Sequence, residues 1–158
     1  MFFDKVYGSW KDIQIKKYEK ILEMMPDLSG KRILDIGIGS GYFEDFLKGK
    51  DINADIIGVD ITKPKGDSVL MASGDALPFN KNSFDMIVCF DTVHLIKNDD
   101  FKRVLKSGGL TLLSTFFNKQ NFEERRLMLR NRLRNFRILK ELVIEEKENE
   151  YVVLAMKK

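Results

Sequence analysis

One cysteine and one histidine stand among 158 residues. A lone cysteine excludes an internal disulfide framework, and one histidine with one cysteine leaves too few ligands for a protein-built zinc site. No metal is expected. Long apolar runs are missing as well: the eight residues Leu110 to Phe117 are among the longest, far below the roughly 20 that a bilayer-crossing helix needs. Met1-Phe2-Phe3-Asp4 starts no charged-then-apolar leader. Together these absences predict a cytoplasmic protein with no membrane partner. A net charge of only +3 announces no nucleic acid by itself. There is no internal repeat, low-complexity tract or long linker, so the chain reads as one domain able to bury roughly 68 to 70% of its unfolded surface.

Against that background the stretch Asp35-Ile36-Gly37-Ile38-Gly39-Ser40-Gly41 stands out. It follows the apolar run Arg32-Ile33-Leu34-Asp35-Ile36, which is apolar enough to be a strand buried on both faces. It opens an amphipathic helix, about Tyr42 to Lys48, whose unpaired amides and positive dipole end point back at the turn. A second acid, Asp60, closes the next apolar run, Ile56-Ile57-Gly58-Val59. Strand, glycine turn, helix and strand make a nucleotide-like cofactor site. A dinucleotide fingerprint spaces its glycines as G-x-G-x-x-G, whereas here the third comes one residue early and an acid precedes the first. Such an acid repels a pyrophosphate but suits an ammonium, and the helix amides suit a carboxylate. Asp60 serves a ribose in either case and does not discriminate.

These residues resemble the class I S-adenosylmethionine-dependent methyltransferases, in the broad group that includes ubiquinone- and menaquinone-pathway C-methyltransferases. DIGIGSG resembles the family's first motif, and Asp60 the acid closing its second strand. Ser73-Gly74-Asp75-Ala76-Leu77-Pro78-Phe79 resembles the third, in which the acid and neighbouring amides face the adenine. Ser83 to Phe90 resembles the fourth strand, and Arg103 to Leu110 the helix, turn and strand after it. The resemblance implies an α/β fold of three layers, a Rossmann-like, mostly parallel seven-stranded sheet ending in an antiparallel hairpin. It implies S-adenosylmethionine as cofactor and S-adenosylhomocysteine as product. Cofactor-binding positions carried over are Asp35, Gly37, Gly39, Gly41, Asp60, Ile61, Asp75, Ala76 and Phe90, with Tyr7 as part of a lid. Residues 1–26 would then be N-terminal helix and lid, 31–117 the cofactor core, and 118–158 a closing helix and hairpin.

Finer expectations follow from local pattern. The first helix begins near Ser9, capped by its hydroxyl with Asp12 answering, and stops at Pro26. Asp99 to Lys106 is a short helix, Leu110 to Phe117 a strand, Phe122 to Phe136 a long helix. Arg137 to Glu145 and Tyr151 to Lys157 form a hairpin across the polar turn Glu146 to Glu150. Only the eight residues Ile61 to Ser68 separate Asp60 from the third strand, too few for the usual helical crossover, which leaves a sheet edge bare and open to dimerisation. The chain is a monomer or homodimer on this reading. His94, just past the fourth strand, is a candidate general base, set against a plain cleft-lining role. Trp10 and Tyr18 belong to the covering helix, and Cys89 to the core. Arg126, Arg130, Arg134 and Arg137 share one side of a helix, a stripe that would suit RNA or an acidic protein. The acceptor favoured is a small molecule. RNA- or protein-directed transfer on the arginine stripe, or a catalytically silent cofactor-binding module, are the alternatives. A nicotinamide oxidoreductase is opposed by the glycine spacing and Asp35.

Overall fold

In β1 (Arg32–Ile36) the four residues after Arg32 are buried, as a strand covered on both faces requires. The computed structural model describes residues 2–62 and 68–158, and side chains from Trp10 onward within them. Beside β1 lie β2 (Asp55–Asp60), β3 (Val69–Met71), β4 (Phe84–Phe90), β5 (Leu105–Phe116), β6 (Phe136–Glu145) and β7 (Asn149–Lys157). They form one sheet in the order β3-β2-β1-β4-β5-β7-β6. All neighbours are parallel except β7, which runs antiparallel to both β5 and β6. The expected mostly parallel seven-stranded sheet with a terminal hairpin is therefore present.

Alternation along the strands supplies two cores. On β4, Met86 and Val88 face one side with Phe43, Phe46 and Leu47 of α2 (Tyr42–Gly49) and Tyr18, Ile21 and Met24 of α1 (Phe2–Met24). Ile87 and Cys89 face the other, with Phe101 and Val104 of α3 (Phe101–Val104) and Leu129 of α4 (Phe122–Arg132). The spacing Phe43, Phe46, Leu47 puts three side chains on one helical stripe, and burying each stabilises the fold by roughly 2 kcal/mol. Helices on both faces of the sheet complete the three layers.

Several boundaries differ from expectation. Helix α1 is already formed at Phe2, so Ser9 lies inside the helix rather than at its start. Strand β5 begins at Leu105 rather than Leu110, because α3 stops after one turn at Val104. Helix α4 ends at Arg132, where Leu133 N–H bonds the Arg130 carbonyl and Asn135 turns left-handed at φ 71°. Arg134 thus falls in a turn and Arg137 on β6, so the four arginines do not share a helical side. Two of them are neutralised locally, Arg126 near Glu123 at 3.7 Å and Arg130 on Glu141 at 2.6 Å. Glu150, read as part of a polar turn, belongs to β7 and is 1% exposed. Between β2 and β3 no helix occurs among the described residues, and 63–67 lie outside them.

Candidate cofactor site

At the carboxyl end of β1 the chain needs three left-handed residues in quick succession: Gly37, Gly39 and Gly41 have φ of 77°, 55° and 76°. Glycine alone adopts that region without penalty. The turn is pinned to β2, with Gly37 N–H and Ile38 N–H both donating to the Val59 carbonyl at 2.8 and 3.2 Å. Gly37 also lies against the loop after β4; a Cβ there would meet Thr92 Oγ1 at 2.4 Å. Around ideal Cβ positions on Gly39 and Gly41 nothing stands within 4 Å. The backbone is bare where a ligand would approach.

Asp60 closes β2 and grips this turn. Its Oδ2 accepts from Gly39 N–H at 2.9 Å, and Oδ1 accepts from Thr62 N–H at 3.0 Å and Thr62 Oγ1 at 2.9 Å. Partial burial works to raise its pKa, but these bonds prevail and hold it below the usual carboxylate range. Asp60 is ionised. Asp35 behaves oppositely: it is 2% exposed, and burial first, then the charges of Glu44 and Asp60, push its pKa well above the usual range. Glu44, in the first turn of α2, is itself raised by burial. Three acids converge on one glycine turn, and that field favours a cation.

Asp75 follows β3. Its Oδ1 accepts from Lys97 N–H and Asn98 N–H at 2.7 and 2.9 Å, and those bonds lower its pKa. Ala76 beside it is exposed. The acid thus fastens the loop after β4 to the loop after β3, leaving Oδ2 outside these two bonds. Phe90 ends β4 and meets Tyr18 and Phe43 with ring centroids at 5.2 and 5.0 Å. Ile61, 71% exposed, sits just past Asp60. Tyr7 lies on α1, but its side chain is outside the described residues. His94 is exposed on a single 3-10 turn, Val93–Leu95. Burial, and then the Arg125 charge, lower its pKa, so it is neutral at pH 7. Cys89 is core, 1% exposed.

One participant escaped the sequence reading. Arg132 donates to Asp99 Oδ1 at 2.9 Å and to the carbonyls of Ile96 and Lys97. It grips the same loop that Asp75 holds. No local pattern marks it, since its partners lie more than thirty positions away. Arg132→Met removes these charge-assisted bonds, for which a net loss of about 1.5 to 3 kcal/mol in all is expected. A fall of about 5 °C in unfolding temperature is expected, measured by calorimetry.

A family model described as a methyltransferase domain matches residues 10–142. The chain belongs to the methyltransferase-domain family. An uncharacterized protein of Methanocaldococcus jannaschii is 32% identical over 127 residues, covering 70% of this chain and 59% of that protein. A malonyl-[acyl-carrier protein] O-methyltransferase of Hamiltonella defensa is 29% identical over 61% of this chain and 42% of its own length. A tRNA (carboxymethyluridine(34)-5-O)-methyltransferase of Arabidopsis thaliana is 25% identical over 75% and 32%. This methyltransferase domain therefore spans about a third to three fifths of the curated relatives named. Among solved structures, a putative methyltransferase of Haloferax volcanii, in complex with the Trm112 activator, has a TM-score of 0.74 at 16% identity. It covers 94% of this chain and 92% of that one, and the likeness is one of fold.

Proposed function

We propose that this domain binds S-adenosylmethionine at the Gly37–Gly41 turn and transfers its methyl group to a small-molecule acceptor. The observation that carries the reading is the meeting of Asp35, Glu44 and Asp60 at a turn with open space over Gly39 and Gly41. A pyrophosphate would be repelled there. A ligand bearing an ammonium and a sulfonium is stabilised, and its carboxylate suits the amides opening α2. Asp60 would hold the ribose hydroxyls, Asp75 Oδ2 and the Ala76 amide the adenine edge, with Ile61 and Phe90 as apolar walls. Bound S-adenosylmethionine supplies a methyl carbon already activated by its sulfonium. The protein's own contribution is alignment and exclusion of water, which effective molarities value at up to roughly 7 to 11 kcal/mol. His94, neutral and exposed just past β4, is the group we assign as general base should the acceptor have to lose a proton. Splitting of the arginine stripe between helix, turn and strand takes away the geometric support for an RNA-directed reading.

Titration calorimetry with S-adenosylmethionine, S-adenosylhomocysteine and NADH tests the cofactor. Both adenosyl compounds are expected to bind and NADH not to. In Asp60→Ala the affinity is expected to fall about 10- to 100-fold, the loss of hydrogen bonds to one charged group. Equal binding of NADH, or an unaffected variant, sinks the assignment.

A further inference from the structure

Beneath α1, at the carboxyl edge of the sheet, charged groups are buried that the cofactor reading does not use. Lys17 of α1 is 6% exposed, and its Nζ lies 3.0 Å from Asp91 Oδ2 and 3.8 Å from Glu150 Oε1. The rings of Tyr18, Phe90 and Phe116 surround the ammonium with centroids 5.4 to 5.7 Å away. Asp91 follows Phe90 directly and is left-handed at φ 55°, a conformation costly for aspartate unless its surroundings impose it. Its N–H donates to the Ser114 carbonyl of β5 at 3.1 Å. Next to it, Thr92 packs against Gly37. The cluster therefore sets the segment that braces the glycine turn.

Its hydrogen bonds do not close if every acid is ionised. Asp91 Oδ1, both Glu150 oxygens and Ser114 Oγ are buried without a partner among the described residues. A proton on Glu150 supplies the missing donor between the two acids, its O–H directed to Asp91 Oδ1, while Ser114 Oγ stays a donor available to the cluster in either state. Lys17 then balances Asp91 alone, and the buried cluster is neutral, as desolvation demands.

We propose that Glu150 is a positioning residue for the cofactor turn, a buried carboxylic acid whose proton bridges to Asp91 and locks the Phe90–Thr92 segment against Gly37. This rests on the S-adenosylmethionine reading for its functional half. Burial first, and then the Asp91 carboxylate, push the Glu150 pKa up to about 9. The groups facing it are Lys17 and Gln14 from α1, Asp91 after β4, Ser114 from β5, and Glu146 and Glu148 before β7. Part of that lining encloses about 20 Å³, room for one water, which is the competing way to satisfy an ionised Glu150.

The test compares wild type with E150Q, which mimics the neutral acid, by unfolding temperature and S-adenosylmethionine calorimetry from pH 6 to 10. A raised carboxyl pKa means the folded state keeps a proton that the unfolded chain releases above about pH 4.3. Relative to E150Q, wild type is thus expected to lose stability up to about pH 9 and then run parallel. The ligand's own ammonium titrates alike in both titrations, so wild-type affinity is expected to drop about tenfold further than that of E150Q as pH passes 9, the weight of one bond to a charged group. Matching pH profiles in the two proteins overturn the proposal in favour of the water. Should E150Q not fold, the infrared band of a protonated carboxyl at pH 7 in Asp35→Asn, which removes the other fully buried acid, decides: its presence supports the bridge and its absence refutes it. Affinity that changes with pH identically in both proteins removes the positioning role. No binding at pH 6 in wild type refutes the cofactor reading instead, and the thermal comparison still judges the proton.

Discussion

Asp35→Asn is expected to make the ligand-free protein more stable and to cost it the cofactor. At pH 7 the buried Asp35 carboxyl is either protonated or charged at a penalty, because burial, Glu44 and Asp60 all oppose its ionisation. Its folded pKa lies above the unfolded value of about 3.9, so the folded state retains a proton that the unfolded chain gives up. Stability is whole below that pH and declines as pH rises toward the folded pKa. Asparagine never ionises, and every tenfold difference in proton affinity between folded and unfolded chain is worth about 1.4 kcal/mol. A gain of at least about 3 °C in unfolding temperature at pH 8, shrinking to nothing near pH 4, is the expected signature. Binding moves the other way. An ammonium beside Asp35 draws the carboxylate into its charged form, so S-adenosylmethionine binding to wild type releases a proton, and asparagine removes both the ion pair and the release. Affinity is expected to fall tenfold or more, with calorimetry in buffers of different ionisation enthalpy counting the proton. A variant that binds normally, or is less stable at pH 8, contradicts this account.

The second large effect separates two glycines of the same turn. Gly37→Ala puts a Cβ 2.4 Å from Thr92 Oγ1 at a φ of 77°. Left-handed strain of about 1 to 2 kcal/mol adds to overpacking of about 1 to 3 kcal/mol. Unfolding temperature is expected to fall on the order of 10 °C. Thr92→Gly should return the overpacking share, which a double-mutant cycle reads as coupling between the positions. Gly39→Ala meets nothing within 4 Å at φ 55°. It is expected to lower stability by only about 1 kcal/mol, yet to weaken S-adenosylmethionine about tenfold or more, because the methyl fills the space a ligand needs. Similar stability losses in the two variants would contradict the distinction.

Those glycines and acids were legible in the sequence because a tight turn after a buried strand leaves few choices of residue. The succession of strands and the closing hairpin was legible for a related reason: apolar runs of strand length, each followed by its own punctuation, admit few α/β arrangements. What escaped was settled by distant contact. Helix α4 looked continuous to Phe136, since Leu129, Leu133 and Phe136 keep helical spacing; Leu133 and Phe136 do pack in the same core, but from a turn and a strand. Glu150 sits among Glu146, Lys147 and Glu148, where polarity reads as solvent. Only the β7 ladder, pairing it with Phe116 and Ile144, draws it inside. The charge of Arg132 was visible and its partners were not.

The three-residue ladder of β3 has a consequence for how the domain opens. Val69, Leu70 and Met71 pair with Gly58, Val59 and Asp60, and Leu70 and Met71 are 46% and 68% exposed. So little buried apolar area lets this strand detach at a small fraction of the global unfolding free energy. Its amides should exchange with deuterium far sooner than those of β4 or β5. The Asp60 end of the cofactor turn therefore borders the least cooperative part of the sheet, and a ligand that bridges Asp60 and the turn would slow that exchange without touching β3 itself.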